Sequence, residues 1–305
     1  MNQMRFLLKR KWQKLQDNLY KEWLKSVVRS VQKINQKYII SVVKKALDED
    51  LRPMGDITTK LIKLSNKKIK AKIIAKQNGV IAGIAFCKQA FKLIGKESIF
   101  KSKIKDGKSI RKNKVIAEIL ANTKTILTAE RTALNFLNHA SGIATTTNNF
   151  VKKVGKKTKI CCTRKTTPNL RLLEKYAVKQ GGGFNHRYNL SDEVLIKENH
   201  INSSSSIKIL IDRAIKTKKI ITVEIENINQ LKEVLGLKFK RILFDNMSLN
   251  ELKRCLKLCK NKYETEYSGN ANLKNIRKIS ITGINRISVG SITHSVNSFD
   301  SSLLI

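Results

Sequence analysis

Proline is nearly missing from this sequence, two residues in 305, and glycine is scarce at 14. Collagen-like repeats and proline-rich low-complexity chains are excluded by that alone. Aromatic residues are only 6% of the chain, too few to build the stacking platforms that bind single-stranded nucleic acid. The five cysteines, at positions 87, 161, 162, 255 and 259, are odd in number and never spaced CxxC. Neither a disulfide framework nor a zinc site is indicated, and they read as small buried hydrophobes in a reducing compartment. No apolar run approaches the roughly 20 residues of a membrane span. Met1 to Lys25 is charged throughout and lacks the apolar stretch of a secretory signal, while Asp17 and Glu22 argue against a mitochondrial presequence. A cytoplasmic protein with no membrane partner is expected.

Acidic residues are also few, 23 against 62 lysines and arginines, and the formal net charge is +39. Such a charge invites a nucleic-acid partner. The lysines, however, are spread from end to end instead of forming a stripe or tail, and Ile and Asn are abundant too. That is the profile of AT-rich codon drift, so no nucleic-acid partner is expected. A positive field still favours capture of multiply anionic substrates. With 41% hydrophobic residues the chain has ample material for a core.

Residues 1–38 read as a basic helical N-terminal extension, with Trp12, Leu15, Leu19, Trp23 and Val27 recurring at three- and four-residue steps. In 39–126, Ala71 to Ala75, Val80 to Ala85 and Val115 to Leu120 are short β-prone runs, which predict a small α+β domain. The helical segment LTAERTALNFLNH begins a second region, 127–291. From residue 158 short apolar runs, KICCT, EVLIK, ITVEI, RILFD, YETEYS and ISVGS, alternate with amphipathic helical stretches. Ser248 is a candidate N-cap, and Gly181 and Gly236 stand where helix C-caps belong. The strand spacing suits βα units and a parallel sheet closed into a barrel.

Each of these runs ends in a residue capable of chemistry: Arg164 and Lys165, Lys197, Glu224, Asp245, Ser268, then Gly290. In α/β barrels the C-terminal strand ends form the active site, so the placement says enzyme. Arg131, Arg164, Lys165, His186, Arg187 and Lys197 together make a cationic group that only an anionic ligand relieves, and arginine suits bidentate carboxylate or phosphate contacts. Glu224 and Asp245 can hold Mg²⁺ carried in by a diphosphate. The turns Ser268-Gly269-Asn270 and Gly290-Ser291 are candidate phosphate loops. Singly, each has a duller role: Arg131 a solvated charge, His186 a turn histidine, Glu224 and Asp245 helix caps, the glycines at 181–183 a loop. The functional reading wins only jointly.

The segment TRKTTPNLRLLEKYAVKQGGGFNHRYNLSDEVLIKENHI (163–201) resembles the central signature of quinolinate phosphoribosyltransferases. ALDEDLRPMGDITT, ERTALNFLNHASGIAT, VEIEN, LFDN, EYSGN and SVGSITHSVNSFDSSL resemble further family segments, in order, from about residue 40 to the end. The resemblance implies an N-terminal α/β sandwich plus an incomplete α/β barrel of the seven-stranded type, with residues 292–305 returning to the first domain. It implies a homodimer in which Arg131 reaches the partner's site. Whether dimers assemble further is left open.

By the same matching Arg131, Thr163, Arg164, His186, Arg187 and Lys197 bind quinolinate. Lys165, Lys197, Glu224, Asp245, Ser268, Gly269, Asn270, Gly290 and Ser291 face phosphoribosyl diphosphate, with Lys165, Lys197, Glu224 and Asp245 catalytic. Glu224 and Asp245 would hold Mg²⁺. No organic cofactor is expected, because the alkylated ring nitrogen stabilises the carbanion left by CO₂. Two departures stand out. Cys162 occupies the family's usual Asp position, so a supporting contact is expected to be missing, and Asn270 replaces a common Gly. The rival readings are a same-fold homologue with another acceptor (a molybdenum-associated homologue or a nicotinate-using transferase) and, from a different class, a basic nucleic-acid-binding protein.

Overall fold

The computed structural model describes residues 34–62, 67–204 and 206–305; the helical extension read over residues 1–38 lies outside them up to residue 33. α1 (Gln36–Leu51) starts where the Asn35 side chain accepts the Lys37 N–H, and it buries Ile39, Val43 and Leu47 at four-residue spacing. α2 (Ile57–Leu61) is capped by Asp56. β1 (Lys68–Ala75) alternates buried Ala71, Ile73 and Ala75 with exposed lysines, the pattern of a sheet covered on one face. β2 (Gly79–Val80), α3 (Ile84–Ile94), β3 (Ile99–Ser102), β4 (Ser109–Ile110) and β5 (Val115–Asn122) complete the first unit.

The expected strand over Val80 to Ala85 is therefore mostly wrong. Only Gly79–Val80 pairs, and Ile84 opens a helix that buries Phe86, Cys87, Ala90 and Phe91. The Asp106 carboxylate accepts the Gly83 and Ile84 N–H groups at 3.1 and 3.2 Å, starting the helix from a distant loop.

α4 (Thr123–Val154) is one continuous 32-residue helix. It starts four residues before the division read between 126 and 127 and runs through it without a break. Much of it is buried, because elements of both units pack on it, and small residues permit the approach. A Cβ on Gly142 would lie 2.4 Å from the Asn297 carbonyl oxygen.

The second unit consists of β6 (Lys159–Cys161), α5 (Arg171–Gln180), β7 (Val194–Ile196), α6 (Glu198–Asn202), α7 (Ile207–Ile215), β8 (Ile221–Ile225), α8 (Ile228–Val234), β9 (Arg241–Asp245), α9 (Leu249–Cys259), β10 (Glu264–Ser268), α10 (Ile276–Ser280), β11 (Arg286–Ser288) and α11 (Ser291–His294). Its strands form one sheet in the order β6-β11-β10-β9-β8-β7, every pair parallel. A seventh position is reduced to one residue, Phe184, bridged in parallel to Cys161, so the barrel is incomplete. β12 (Ser301–Leu304) leaves it and pairs with Lys72–Ala75 of β1, giving the antiparallel sheet β12-β1-β5-β3.

Local chemistry fixes the ends of several elements. Ser248 and Glu251 form a reciprocal capping box on α9. Gly236 follows α8 with φ +92°. Gly181 occupies the C-cap of α5 with ordinary right-handed geometry, and Gly182 is the left-handed residue there at φ +86°. All five cysteines are free and buried.

Candidate active site

Parallel strands deliver their C-terminal ends to one face, and those ends enclose a cavity of about 910 Å³. Thr163, Arg164 and Lys165 follow β6, and Lys197 follows β7. Glu224 and Asp245 sit at the ends of β8 and β9, where the buried runs Ile221–Val223 and Arg241–Phe244 give way to partly exposed side chains. Ser268, Gly269 and Asn270 follow β10, Gly290 and Ser291 follow β11, and His186 and Arg187 arrive on the segment after Phe184. All of these line the cavity. Arg131 does not: it lies on α4, exposed and outside the cavity of its own chain.

One wall is cationic and has donors to spare. Arg164 Nε and His186 Nε2 are buried and have no hydrogen-bond partner. The Arg187 N–H donates to His186 Nδ1 at 2.8 Å, so the neutral ring carries its proton on Nε2. That atom stands 3.6 Å from Glu266 Oε1, beyond hydrogen-bond distance. Burial first, and then the charges of Arg241, Arg286, Lys175 and Arg187, push His186 down to about 3, so the imidazole is neutral at ordinary pH. Burial, and the neighbouring Arg164, also lower Arg187.

The other wall is acidic. Lys197 Nζ donates to both oxygens of Glu224 at 2.9 and 3.2 Å. Asp245 accepts from Asn246 Nδ2 at 3.1 Å. Burial, followed by repulsion from Glu198, Asp245 and Glu224, raises Glu226, an exposed residue outside the cavity lining. Among the described residues no group of three or more His, Cys, Asp or Glu could hold a metal. Glu224 and Asp245 are the two carboxylates in the cavity lining that could hold a cation.

The late loops are shaped by backbone. Gly269 has φ +115°, and a Cβ there would fall 2.2 Å from Asn246 Oδ1, so no other residue fits. Asn270 takes φ +48°, a left-handed conformation asparagine tolerates, and its carbonyl accepts from Asn272 and Asn275. The replacement of a common Gly is thus accommodated. Thr293 Oγ1 donates to the Lys165 carbonyl at 2.7 Å, fastening the first strand's loop to the last.

A family model described as the quinolinate phosphoribosyl transferase C-terminal domain matches residues 143–304, and its N-terminal counterpart matches 56–141. The chain belongs to the quinolinate phosphoribosyltransferase family. It is similar to a probable nicotinate-nucleotide pyrophosphorylase [carboxylating] of Bacillus subtilis, 40% identical over 258 residues, 82% of this chain and 87% of that one. The solved nicotinate-nucleotide pyrophosphorylase of Francisella tularensis is 36% identical with a TM-score of 0.86, covering 90% of this chain and 98% of that one. That of Ehrlichia chaffeensis is 41% identical with a TM-score of 0.84, covering 89% and 99%.

For this member of the quinolinate phosphoribosyltransferase family the geometry also corrects and extends the sequence reading. Cys162, which stands at the family's usual Asp position, has polar partners of its own: Sγ meets Lys175 Nζ at 3.2 Å and Asn185 Oδ1 at 3.2 Å. The glycines at 181–183 do not line the cavity. Gly181 and Gly183 let the chain press on α4, where added Cβ atoms would fall 2.4 Å from the Ala144 oxygen and 2.6 Å from Thr147. Asn246, Asn272, Ser288 and His294 line the cavity without having been singled out. Asn246 lies in LFDN and His294 in SVGSITHSVNSFDSSL, and histidine is rare enough here, four in the chain, to be a signal.

Proposed function

We propose that this chain catalyses phosphoribosyl transfer from 5-phosphoribosyl 1-diphosphate to quinolinate with decarboxylation. The products are nicotinate mononucleotide, diphosphate and CO₂, a step of de novo NAD biosynthesis. The observation that carries the reading is the pair of buried unpartnered donors, Arg164 Nε and His186 Nε2, beside Arg187 and Lys197 in one cavity. A buried donor without an acceptor costs about 1–3 kcal/mol, and a dianion with adjacent carboxylates relieves both at once. Thr163 lies at the same wall.

In this reading the cationic wall orients the pyridine ring so that its nitrogen faces C1 of the ribose. The ring lone pair forms the new bond as the bond to diphosphate breaks, through a centre of oxocarbenium character. Positioning and fixed charge supply most of the rate. Lys165 and Lys197 face the leaving diphosphate, while Glu224 and Asp245 lie on the side where positive charge develops. Ser268, Gly269, Asn270, Gly290 and Ser291 hold the 5′-phosphate. The bond from C2 to its carboxylate then breaks, its electron pair stays on C2 beside the cationic ring nitrogen, and a solvent proton replaces CO₂. No organic electron sink is required. Glu224 and Asp245 would hold Mg²⁺, which would neutralise charge on the leaving diphosphate when bound.

The working form is a homodimer, in which Arg131 of the partner subunit completes the cationic wall. Its exposure on α4 and its place outside its own cavity support that role. Mixing inactive Arg131→Ala and Lys197→Ala proteins should then recover part of the turnover, since one site per mixed dimer is intact; no recovery argues that each chain is self-sufficient. The protein is expected to work in the cytoplasm, and among the described residues no helix is long and apolar enough to cross a membrane.

Steady-state comparison of acceptors tests the substrate. Quinolinate should exceed nicotinate in kcat/KM by at least about tenfold, the value of one charge-assisted hydrogen bond. Equal or reversed preference would mean a monocarboxylate acceptor on the same scaffold.

A further inference from the structure

We infer that Lys175 is a positioning residue for the dianion-binding wall and that Cys162 is the group that holds it in place; the inference rests on the functional reading above. Lys175 lies on α5, outside the cavity, and its side chain is fully buried. Its Nζ donates to the His186 carbonyl oxygen at 3.0 Å and to Cys162 Sγ at 3.2 Å. None of the ion pairs among the described residues includes it. Burying an ammonium group away from carboxylates is costly unless directed bonds hold it, and both bonds here run to the segments that carry the unpartnered donors. Cys162 immediately precedes Thr163, Arg164 and Lys165, while His186 itself carries the unpartnered Nε2. One buried ammonium group therefore ties the first strand's loop to the His186–Arg187 stretch from beneath.

The rest of α5 does the same work at greater distance. Glu174, also fully buried, accepts the Thr167 N–H at 3.2 and 3.3 Å and meets His139 Nε2 at 3.0 Å. Arg171 donates to Thr166 Oγ1 at 2.9 Å and to the Tyr188 carbonyl at 3.3 Å. Lys175 is the link closest to the donors, because it holds the backbone of the very residue whose ring faces the ligand. Cys162 serves it as acceptor through sulfur, with its own S–H directed at Asn185 Oδ1. Losing the ammonium group frees His186 and Arg187 to shift, and displacements of about 1 Å are enough to lose most of a binding geometry. The phosphate loops after β10 and β11 have no direct bond to Lys175 and meet its loop only through Thr293 and the Lys165 carbonyl, so they should respond less.

The test is a split between two substrates. Lys175→Met keeps length and apolar volume while removing the donor. Its KM for quinolinate should rise by about tenfold or more, with a clearly smaller rise for phosphoribosyl diphosphate, which meets only Lys165 of the tied segments. Cys162→Val should show a smaller rise on the same substrate, and Cys162→Asp, which returns an acceptor to Nζ, should recover what Cys162→Val loses. Unchanged KM for quinolinate, or equal rises for both substrates, overturns the assignment and leaves Lys175 a packing residue. Should Lys175→Met not fold, Cys162→Val decides by the same split. Calorimetry with phthalate, an unreactive aromatic 1,2-dicarboxylate, separates this from the functional reading. Phthalate binding that weakens on Lys175→Met, in a wild-type protein that does not turn over quinolinate, sinks only the function. Normal turnover with phthalate affinity indifferent to Lys175→Met sinks only the positioning role.

Discussion

Charged side chains occupy both ends of the barrel, and the two ends use them differently. At the end where the strands begin, Arg241 donates to Glu264 at 3.0 Å, to Glu193 at 3.1 Å and to Thr222 at 3.2 Å. Arg286 pairs with Glu266 at 3.1 Å and with Glu264 at 3.6 Å. From the cavity end, Ser288 Oγ donates to Glu266 as well. Each of these charges has a partner, and the side chains of Arg241 and Glu266 are almost or fully buried. At the end where the strands finish, Arg164 and His186 keep donors that nothing among the described residues accepts. A satisfied ionic cluster adds to the fold, whereas an unsatisfied one is held open for a ligand, and the same residue types serve both. What separates them is whether the partner is supplied by the chain.

That contrast can be broken most decisively by Lys197→Ala or Glu224→Ala. Each should lower kcat/KM by about a thousandfold or more, some 4 kcal/mol of barrier, with the melting temperature nearly unmoved. Near-normal turnover in either variant ends the site assignment. At the opposite end, Arg241→Met should leave Glu193 without its cationic partner and Glu264 and Glu266 short of one, destabilising the fold by about 3 kcal/mol, read as a lower denaturant midpoint. An unchanged midpoint would mean that the paired cluster is not structural.

A smaller effect lies in pH. His186 is held at about 3 in the folded protein, below its unfolded value of about 6.5. As pH falls below 6.5 the unfolded chain takes the proton first, so stability declines, by roughly 2 kcal/mol at pH 5. Equilibrium unfolding of His186→Asn should show a shallower loss over that window; parallel curves for the two proteins contradict the assignment of a buried neutral imidazole. Smallest, Ser248→Ala should cost about 1 kcal/mol through the lost capping box on α9. Its kinetics should stay intact, since neither Ser248 nor Glu251 lines the cavity; a changed KM for either substrate would extend the site to that helix end.

The unpaired end is legible in the sequence because a polar residue closes one apolar run after another, and accidental turns do not recur in register. The paired end is not. Glu264 and Glu266 stand in YETEYS at the two-residue spacing of one strand face, yet their partners Arg241 and Arg286 are 20 or more residues away and nothing local announces them. The helix at Ile84 escapes a local reading for the same reason, because its start depends on Asp106 across a loop. Tertiary partners, not local preference, decide both. The residues alone place Arg131 among the cationic candidates, but its reach into a partner's site comes only from the family resemblance, and its place in the chain's own structure is an exposed helix face.

The most direct test is a crystal structure of the protein with quinolinate bound. One carboxylate oxygen should lie within hydrogen-bond distance of Arg164 Nε and another within reach of His186 Nε2, with the ring nitrogen turned toward Glu224 and Asp245. Quinolinate seated elsewhere, or seated there with both donors still unpartnered, would contradict that assignment.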